Sequence, residues 1–350
     1  MSAFQALLLA LCALGTIGVV RAEHLTLRSA AYSCAPHGAA PLGGCQNGKK
    51  EVHYDLLRLF GGAADAGIES KAFLLCTDLD DTLVGDAGSL AEFNSFWRRK
   101  LAPEGCKLVF NTGRSFTDYK ALCKDWELLV PDVFIGGCGT QVYTFDSTGN
   151  EVPVKSWAES LRAGWDKAWV SNKIRSDAKL REQFGDIEEK TESRGNDLLF
   201  SMRLPGYTAD VDAVRRDMLN ALGCSPDEVR INVASVSFTG ATTVTGATGA
   251  DASGADGCLF VDIMPRNAGK GLALAYVREA LFGMAAAQCV VAGDSGNDVA
   301  MFEGDVARGI MVGNAKSELV AVRQPEHFVA TASYAAGLLE GLRHYGLLQD

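Results

Sequence analysis

Asp78 and Asp80, in the run Asp78-Leu79-Asp80-Asp81-Thr82, are the residues best placed by type and spacing to do chemistry. They follow an apolar stretch, Ala72-Phe73-Leu74-Leu75-Cys76, whose continuous hydrophobicity predicts a buried strand. Residues i and i+2 of a strand face the same way, so the two carboxylates would leave it side by side. Open α/β sheets build their sites at the carboxyl ends of such strands. One carboxylate there can attack a phosphorus atom while the other handles protons, and a Mg2+ between them would suppress their repulsion.

Those groups need a sheet to hold them, and from about residue 71 the chain repeats strand, loop and helix. The pattern predicts strands at Leu74–Asp80, Lys107–Asn111 and Val133–Ile135, with a hairpin starting at Gln141–Phe145. It predicts helices at Leu90–Lys100 and from a Ser115 cap through Leu129. Near residue 150 the rhythm changes. Ser156–Lys173 reads as one amphipathic helix with Trp157, Leu161, Trp165 and Trp169 facing a core. Leu198–Leu204, a helix at Ala209–Leu222, Val229–Phe238 and Leu259–Met264 follow, with Gly240–Gly257 read as a mobile loop. The parallel pattern resumes with a helix from Lys270 through Phe282, a strand at Gln288–Ala292 and a short final strand at Gly309–Val312. The expected organisation is an α/β core, residues 71–148 and 259–350, interrupted by an α+β insertion, residues 149–258, able to lie over the sheet edge as a lid.

Bulk properties narrow the function. The chain has 350 residues, 47% hydrophobic and 22% charged, with a formal net charge of -10. An acidic balance argues against nucleic acid as a partner, because phosphate backbones are bound by clustered Lys and Arg. The ten cysteines show no zinc-type spacing, and buried free thiols are expected rather than a disulfide framework. Histidine is scarce and falls in no motif, which argues against Ser-His or His-rich metal chemistry.

Residues 1–22 read as a signal-like leader, with an apolar run from Ala6 to Val20 and a small residue, Ala22, before a cleavage point. Residues 23–70 read as a transit-like or disordered linker, with a weak helix at Glu51–Phe60 broken at Gly61-Gly62. Residues 23–50 are poor in acidic groups, so entry to the secretory pathway or a plastid is expected, with a cytoplasmic uncleaved leader as the alternative. The apolar run is too short for a stable membrane span.

Four motifs occur in order, each at a predicted strand end or helix start: Asp78-Leu79-Asp80-Asp81-Thr82, Asn111-Thr112-Gly113-Arg114, Gly269-Lys270-Gly271 and Gly293-Asp294-Ser295-Gly296-Asn297-Asp298. Together they resemble the haloacid dehalogenase (HAD) superfamily of phosphatases. That resemblance implies a Rossmannoid parallel-sheet core with an inserted α+β cap. It implies Asp78 as nucleophile forming an aspartyl-phosphate, and Asp80 as the acid and then the base. Thr112, Gly113, Arg114 and Lys270 would bind the phosphoryl group, Lys270 also neutralising Asp78. Mg2+ would be held by Asp78, the backbone carbonyl of Asp80 and Asp294, with Asp298 holding its water shell or orienting Lys270. Thr82, Ser295 and Asn297 would support this set. For Arg114, a structural pairing with a core carboxylate stands beside the substrate role.

Leu108–Tyr119, Asp262–Tyr276, Gly293–Phe302, Ile310–Leu319 and Tyr334–His344 further resemble sucrose-phosphate phosphatases. This implies hydrolysis of sucrose 6-phosphate to sucrose and phosphate. Phosphatases of mannosylglycerate or glucosylglycerol phosphate, a sugar phosphomutase, and a non-catalytic sugar-phosphate binding or synthase-scaffold protein are the alternatives. The expected partners are a sugar-phosphate substrate and the sugar-phosphate synthase that makes it. Asp81 departs from the family pattern by adding a charge beside the metal site, and Asp262 reads as structural.

Overall fold

A computed structural model of the chain describes residues 72–205, 210–236, 258–303, 306 and 308–349. The leader, the linker and its Glu51–Phe60 helix, and the Gly240–Gly257 loop lie outside the described residues.

In chain order the elements are β1 (Leu74–Thr77), α1 (Ala87–Phe96), β2 (Lys107–Asn111), α2 (Phe116–Asp125), β3 (Val133–Gly136), β4 (Gln141–Phe145) and β5 (Glu151–Pro153). There follow α3 (Lys155–Arg162), α4 (Lys167–Ser176), α5 (Ala178–Phe184), β6 (Phe200–Pro205), α6 (Val211–Leu222), β7 (Val229–Val236) and β8 (Cys258–Pro265). The chain continues with α7 (Lys270–Tyr276), β9 (Cys289–Gly293), α8 (Val299–Phe302), β10 (Gly309–Met311), α9 (Ser317–Val320), β11 (Phe328–Val329) and α10 (Tyr334–His344).

An eight-stranded sheet has the order β11-β10-β9-β1-β2-β3-β4-β5. It is parallel from β11 to β3, and β4 and β5 add an antiparallel edge. β1 lies at its centre, and all four of its residues are buried. That explains its unbroken apolar sequence, since helices cover both faces of a parallel sheet. Leu75, Leu108 and Phe110 pack with Leu90 and Phe93 of α1 and Leu338 and Leu342 of α10. Leu74, Cys76 and Val109 pack on the other face with Trp157 and Leu161 of α3 and Ala273 and Leu274 of α7.

A second, antiparallel sheet, β6-β8-β7, carries its own core. Val170, Ile174, Leu180, Val214 and Met218, from α4, α5 and α6, cover one face of it. Two expected boundaries shift. β5 belongs to the large sheet, and β8, expected at the return to the core, is the central strand of the small one.

The single helix expected at Ser156–Lys173 is two helices. Gly164 takes φ +74 between them, a left-handed conformation that ends a helix and that glycine adopts at least cost. Asp166 then caps α4 by accepting the Trp169 N–H. The break redirects the tryptophans: Trp157 is buried, while Trp169 is 40% exposed rather than core-facing. Ser115 does cap α2, in a capping box with Asp118, but the helix stops at Asp125 rather than Leu129. β1 ends at Thr77, and Asp80 makes only an isolated bridge with Val84. A further strand, β11, lies beyond β10, which was expected to be the last.

Among the described residues the seven cysteines are free, five of them buried and Cys123 exposed. No helix among these residues is long and apolar enough to cross a membrane.

Candidate active site

β1, β2 and β9 are parallel neighbours, so their carboxyl ends share one edge of the sheet. Asp78 follows β1, Thr112 follows β2 and Asp294 follows β9. Lys270 is supplied by the start of α7, as its first residue. The sheet therefore gathers residues that lie more than 200 positions apart in sequence.

Lys270 Nζ donates to Asp78 Oδ1 at 2.9 Å and to Asp298 Oδ1 at 2.7 Å. All three side chains are almost fully buried. Asp298 Oδ2 accepts the backbone N–H groups of Asp294 and Ser295, at 3.0 and 3.2 Å. Both Asp298 oxygens thus have protein donors, which suits it to orienting Lys270 and the loop after β9. Thr82 donates its hydroxyl to Asp294 Oδ1 at 3.3 Å. Ser295 and Asn297 bond each other at 3.0 Å and shape the same loop.

The electrostatics follow from burial of several carboxylates around one ammonium. Burial pushes the Asp78 carboxyl well above the usual carboxylate range; Lys270 pulls it back, and Asp298, Asp294 and Asp80 push it further up. Asp294 is pushed up to about 7 by burial and by Asp298, with Lys316 opposing. Burial works against the Lys270 ammonium, but Asp298 and Asp78 overcome it and hold its pKa above the ordinary lysine value. Asp81 is raised by burial, with Lys316 opposing.

This donor set fits a divalent metal. One carboxylate oxygen from each of Asp78, Asp294 and Asp298 lies within 4.8 Å of the others. Three carboxylates against one lysine leave two negative charges when all are ionised, and hard oxygen donors suit a hard dication. Asp80 stands apart. Arg114 bonds both oxygens of its carboxylate, Nε to Oδ2 at 2.7 Å and Nη2 to Oδ1 at 2.6 Å. The fork turns this carboxylate toward Arg114, which is compatible with the backbone-carbonyl metal contact that the resemblance implies for Asp80.

Thr112 is buried, and its Oγ1 accepts the Arg114 N–H at 3.2 Å, which leaves its own O–H to donate. Gly113 beside it is exposed. The geometry joins Asp78, Lys270 and Asp298 by hydrogen bonds, puts Asp294 within 4.8 Å of both aspartates, and sets Asp80, Thr112, Gly113 and Arg114 around the ends of β1 and β2.

Two tertiary ties around the site have partners that the sequence does not indicate. Asn111 Nδ2 donates to the Lys270 backbone carbonyl at 3.0 Å, tying β2 to the start of α7. Its place immediately before Thr112 was the available signal. Asp262 of β8 accepts the Cys138 thiol at 3.1 Å and the Ser201 hydroxyl at 2.5 Å. Cys138 N–H in turn bonds the Thr112 carbonyl at 3.2 Å. This chain links the small sheet to the phosphate-loop candidate and gives Asp262 the structural role expected of it. No local pattern around Cys138 announces the contact.

A family profile described as sucrose-6F-phosphate phosphohydrolase matches residues 71–192 and 257–346. A mannosylfructose-phosphate phosphatase of Agrobacterium fabrum is 33% identical over 279 residues, covering 78% of this chain and 97% of that protein. Sucrose-phosphatase 2 of Nicotiana tabacum is 31% identical over 287 residues, and the match spans 78% of this chain but 59% of the tobacco protein. Among solved structures, the sucrose-phosphatase of Synechocystis sp. PCC6803 in complex with sucrose and phosphate aligns with a TM-score of 0.60 at 25% identity, covering 79% of this chain and 99% of that one. A haloacid dehalogenase-like hydrolase of Bacillus subtilis shares the fold, with a TM-score of 0.51. The chain belongs to the sucrose-6F-phosphate phosphohydrolase family, within the haloacid dehalogenase superfamily.

Proposed function

We propose that the chain is a Mg2+-dependent phosphomonoesterase that hydrolyses sucrose 6-phosphate to sucrose and phosphate through an aspartyl-phosphate on Asp78. The observation that carries this reading is the buried contact of one lysine with two carboxylates, Lys270 with Asp78 and Asp298, beside Asp294 at the strand ends. Bound Mg2+, held by Asp78 and Asp294 with Asp298 close by, would supply the positive charge that lets a phosphate dianion approach the carboxylates.

The protein groups divide the work as follows. Lys270 holds Asp78 in place and offsets charge on the phosphoryl oxygens. Asp78 attacks phosphorus, and the sugar oxygen leaves with a proton from Asp80. Asp80 then removes a proton from water, which attacks the same phosphorus, freeing phosphate and restoring Asp78. Thr112 donates its hydroxyl to a phosphoryl oxygen, and Gly113 leaves room for that group. Arg114 must release Asp80 for the proton transfers, and the incoming phosphate is the competing anion for its guanidinium.

A second substrate, mannosylfructose phosphate, is favoured by the 33% identity to the Agrobacterium protein over 97% of that protein. It presents the same bond on a different disaccharide, so the discrimination falls to the small sheet and its helices. Measuring phosphate release as kcat/KM on both compounds decides between them; a ratio favouring the mannosyl compound would replace the substrate and retain the chemistry. Docking on a synthase rests on the shared metabolite, and import through the leader rests on its sequence.

A further inference from the structure

None of the catalytic residues lines a shallow cavity of 230 Å³ at the edge of the small sheet, but three arginines do. Arg215 comes from α6, Arg230 from β7 with its neighbours Val229 and Ile231, and Arg266 from the connection between β8 and α7. No acidic side chain lines it among the described residues.

The hydrogen bonds leave this positive charge largely uncompensated. Arg215 is partly matched by Asp212 and donates Nε to the Ile231 carbonyl at 3.3 Å. Arg266 donates Nη1 to the Asp227 carbonyl at 2.9 Å, and Arg230 donates Nε to the Arg266 carbonyl at 3.4 Å. Among the described residues, the carboxylates that pair nearby go to Arg215 and Arg216, not to Arg230 or Arg266. Arg230 is half-buried, and burial lowers its pKa against the opposing pull of Glu303. A desolvated guanidinium gains from an anion that restores its hydrogen bonds.

The backbone adds a donor. β7 is an edge strand, and the Arg215 bond places the Ile231 carbonyl on its outer side. In an antiparallel strand the N–H of a residue points the same way as its carbonyl, so the Ile231 N–H faces this edge too. A planar guanidinium fork matches phosphate oxygens. The volume falls below the roughly 300–1,000 Å³ of sites for drug-sized ligands, which sets the ligand as small.

We propose that this cavity is a second anion site, for a phosphate dianion that is either free or carried on a small metabolite. Its position gives occupancy a route to the catalytic cluster. Arg266 lies four residues before Lys270, and Arg230 side-chain atoms pack 3.3–3.4 Å from the position of a Cβ on Gly269.

The test is calorimetric titration of inorganic phosphate into the full chain with Mg2+ at low ionic strength, where such contacts are least screened. Wild type should bind two phosphates. Arg266→Gln should weaken one class about tenfold, the effect of losing a charge-assisted hydrogen bond, and leave the other class and phosphatase turnover in phosphate-free buffer unchanged. Arg215→Gln should weaken the same class. Methylphosphonate in a parallel titration distinguishes the sources: tighter binding than phosphate assigns the carried form, equal or weaker binding the free ion. One phosphate per chain, or two with affinities unchanged in both variants, would overturn the second site. Loss of the catalytic class alone would count against the active-site reading and leave this site standing.

Discussion

Arg114 grips both oxygens of Asp80, joining the loop after β2 to the loop after β1 in a two-point fork. While the fork is closed, each Asp80 oxygen already accepts one charge-assisted bond, so Arg114 competes with a leaving group for this carboxylate. Arg114→Ala should therefore raise KM about tenfold or more, through loss of charge-assisted bonds to phosphate, and also change the pH profile of kcat. Arg114→Lys keeps the charge and loses the fork, so it should recover only part of the effect. Steady-state kinetics at several pH values checks this; unchanged KM and pH profile in Arg114→Ala would reduce Arg114 to a structural residue.

Among the described residues, Lys270 is the cation that touches the two buried carboxylates Asp78 and Asp298. Lys270→Met should abolish turnover and destabilise the metal-free protein by about 3–5 kcal/mol, the usual cost of breaking a buried ion pair from one side. Urea unfolding in EDTA measures it. A stability loss below about 1 kcal/mol would mean that the carboxylates do not depend on this lysine.

The raised Asp294 gives a pH-dependent response to metal. Its folded value of about 7 lies above its ordinary value of 3.8, so the metal-free fold holds a proton that the unfolded chain has lost between those limits. The stability from this group is full below 3.8 and is lost as pH rises through about 7. A bound dication reverses the preference, because it favours the ionised carboxylate. Mg2+ should thus raise Tm more at about pH 8 than at about pH 5.5, as thermal melts with Mg2+ against EDTA would show. An equal or reversed increment would contradict the placement of Asp294 at the metal.

Gly139 and Gly269 meet back to back beneath Lys270. A Cβ on Gly139 would lie 2.4 Å from the Gly269 backbone, and Gly139 also takes φ +92. Gly139→Ala should cost more than the roughly 1 kcal/mol typical of a positive-φ glycine, and should lower kcat by displacing α7. Paired unfolding and kinetic measurements check it; a neutral outcome would show that the connection yields freely.

Much of the site could be read from sequence because its chemistry sits where regular elements end. β2 has the bounds expected of it, and Asp78, Thr112 and Asp294 fall at strand ends as their motifs required. The misses are tertiary. Nothing local to Trp169 says that Gly164 will turn the chain, because a four-residue hydrophobic step continues across the break. β8 resembles a core strand in sequence because it is central in its own sheet. Pairing of Arg114 with a carboxylate was one of its two expected readings, though not with Asp80, 34 positions away; the Cys138–Asp262 bond, across 124 positions, lies beyond the reach of any local pattern.

The most direct measurement is phosphate release from sucrose 6-phosphate by the full chain with Mg2+, wild type against Asp78→Asn. Wild type should turn over, and Asp78→Asn should be slower by about a thousandfold or more while melting as a folded protein. Turnover retained in Asp78→Asn would contradict the nucleophile.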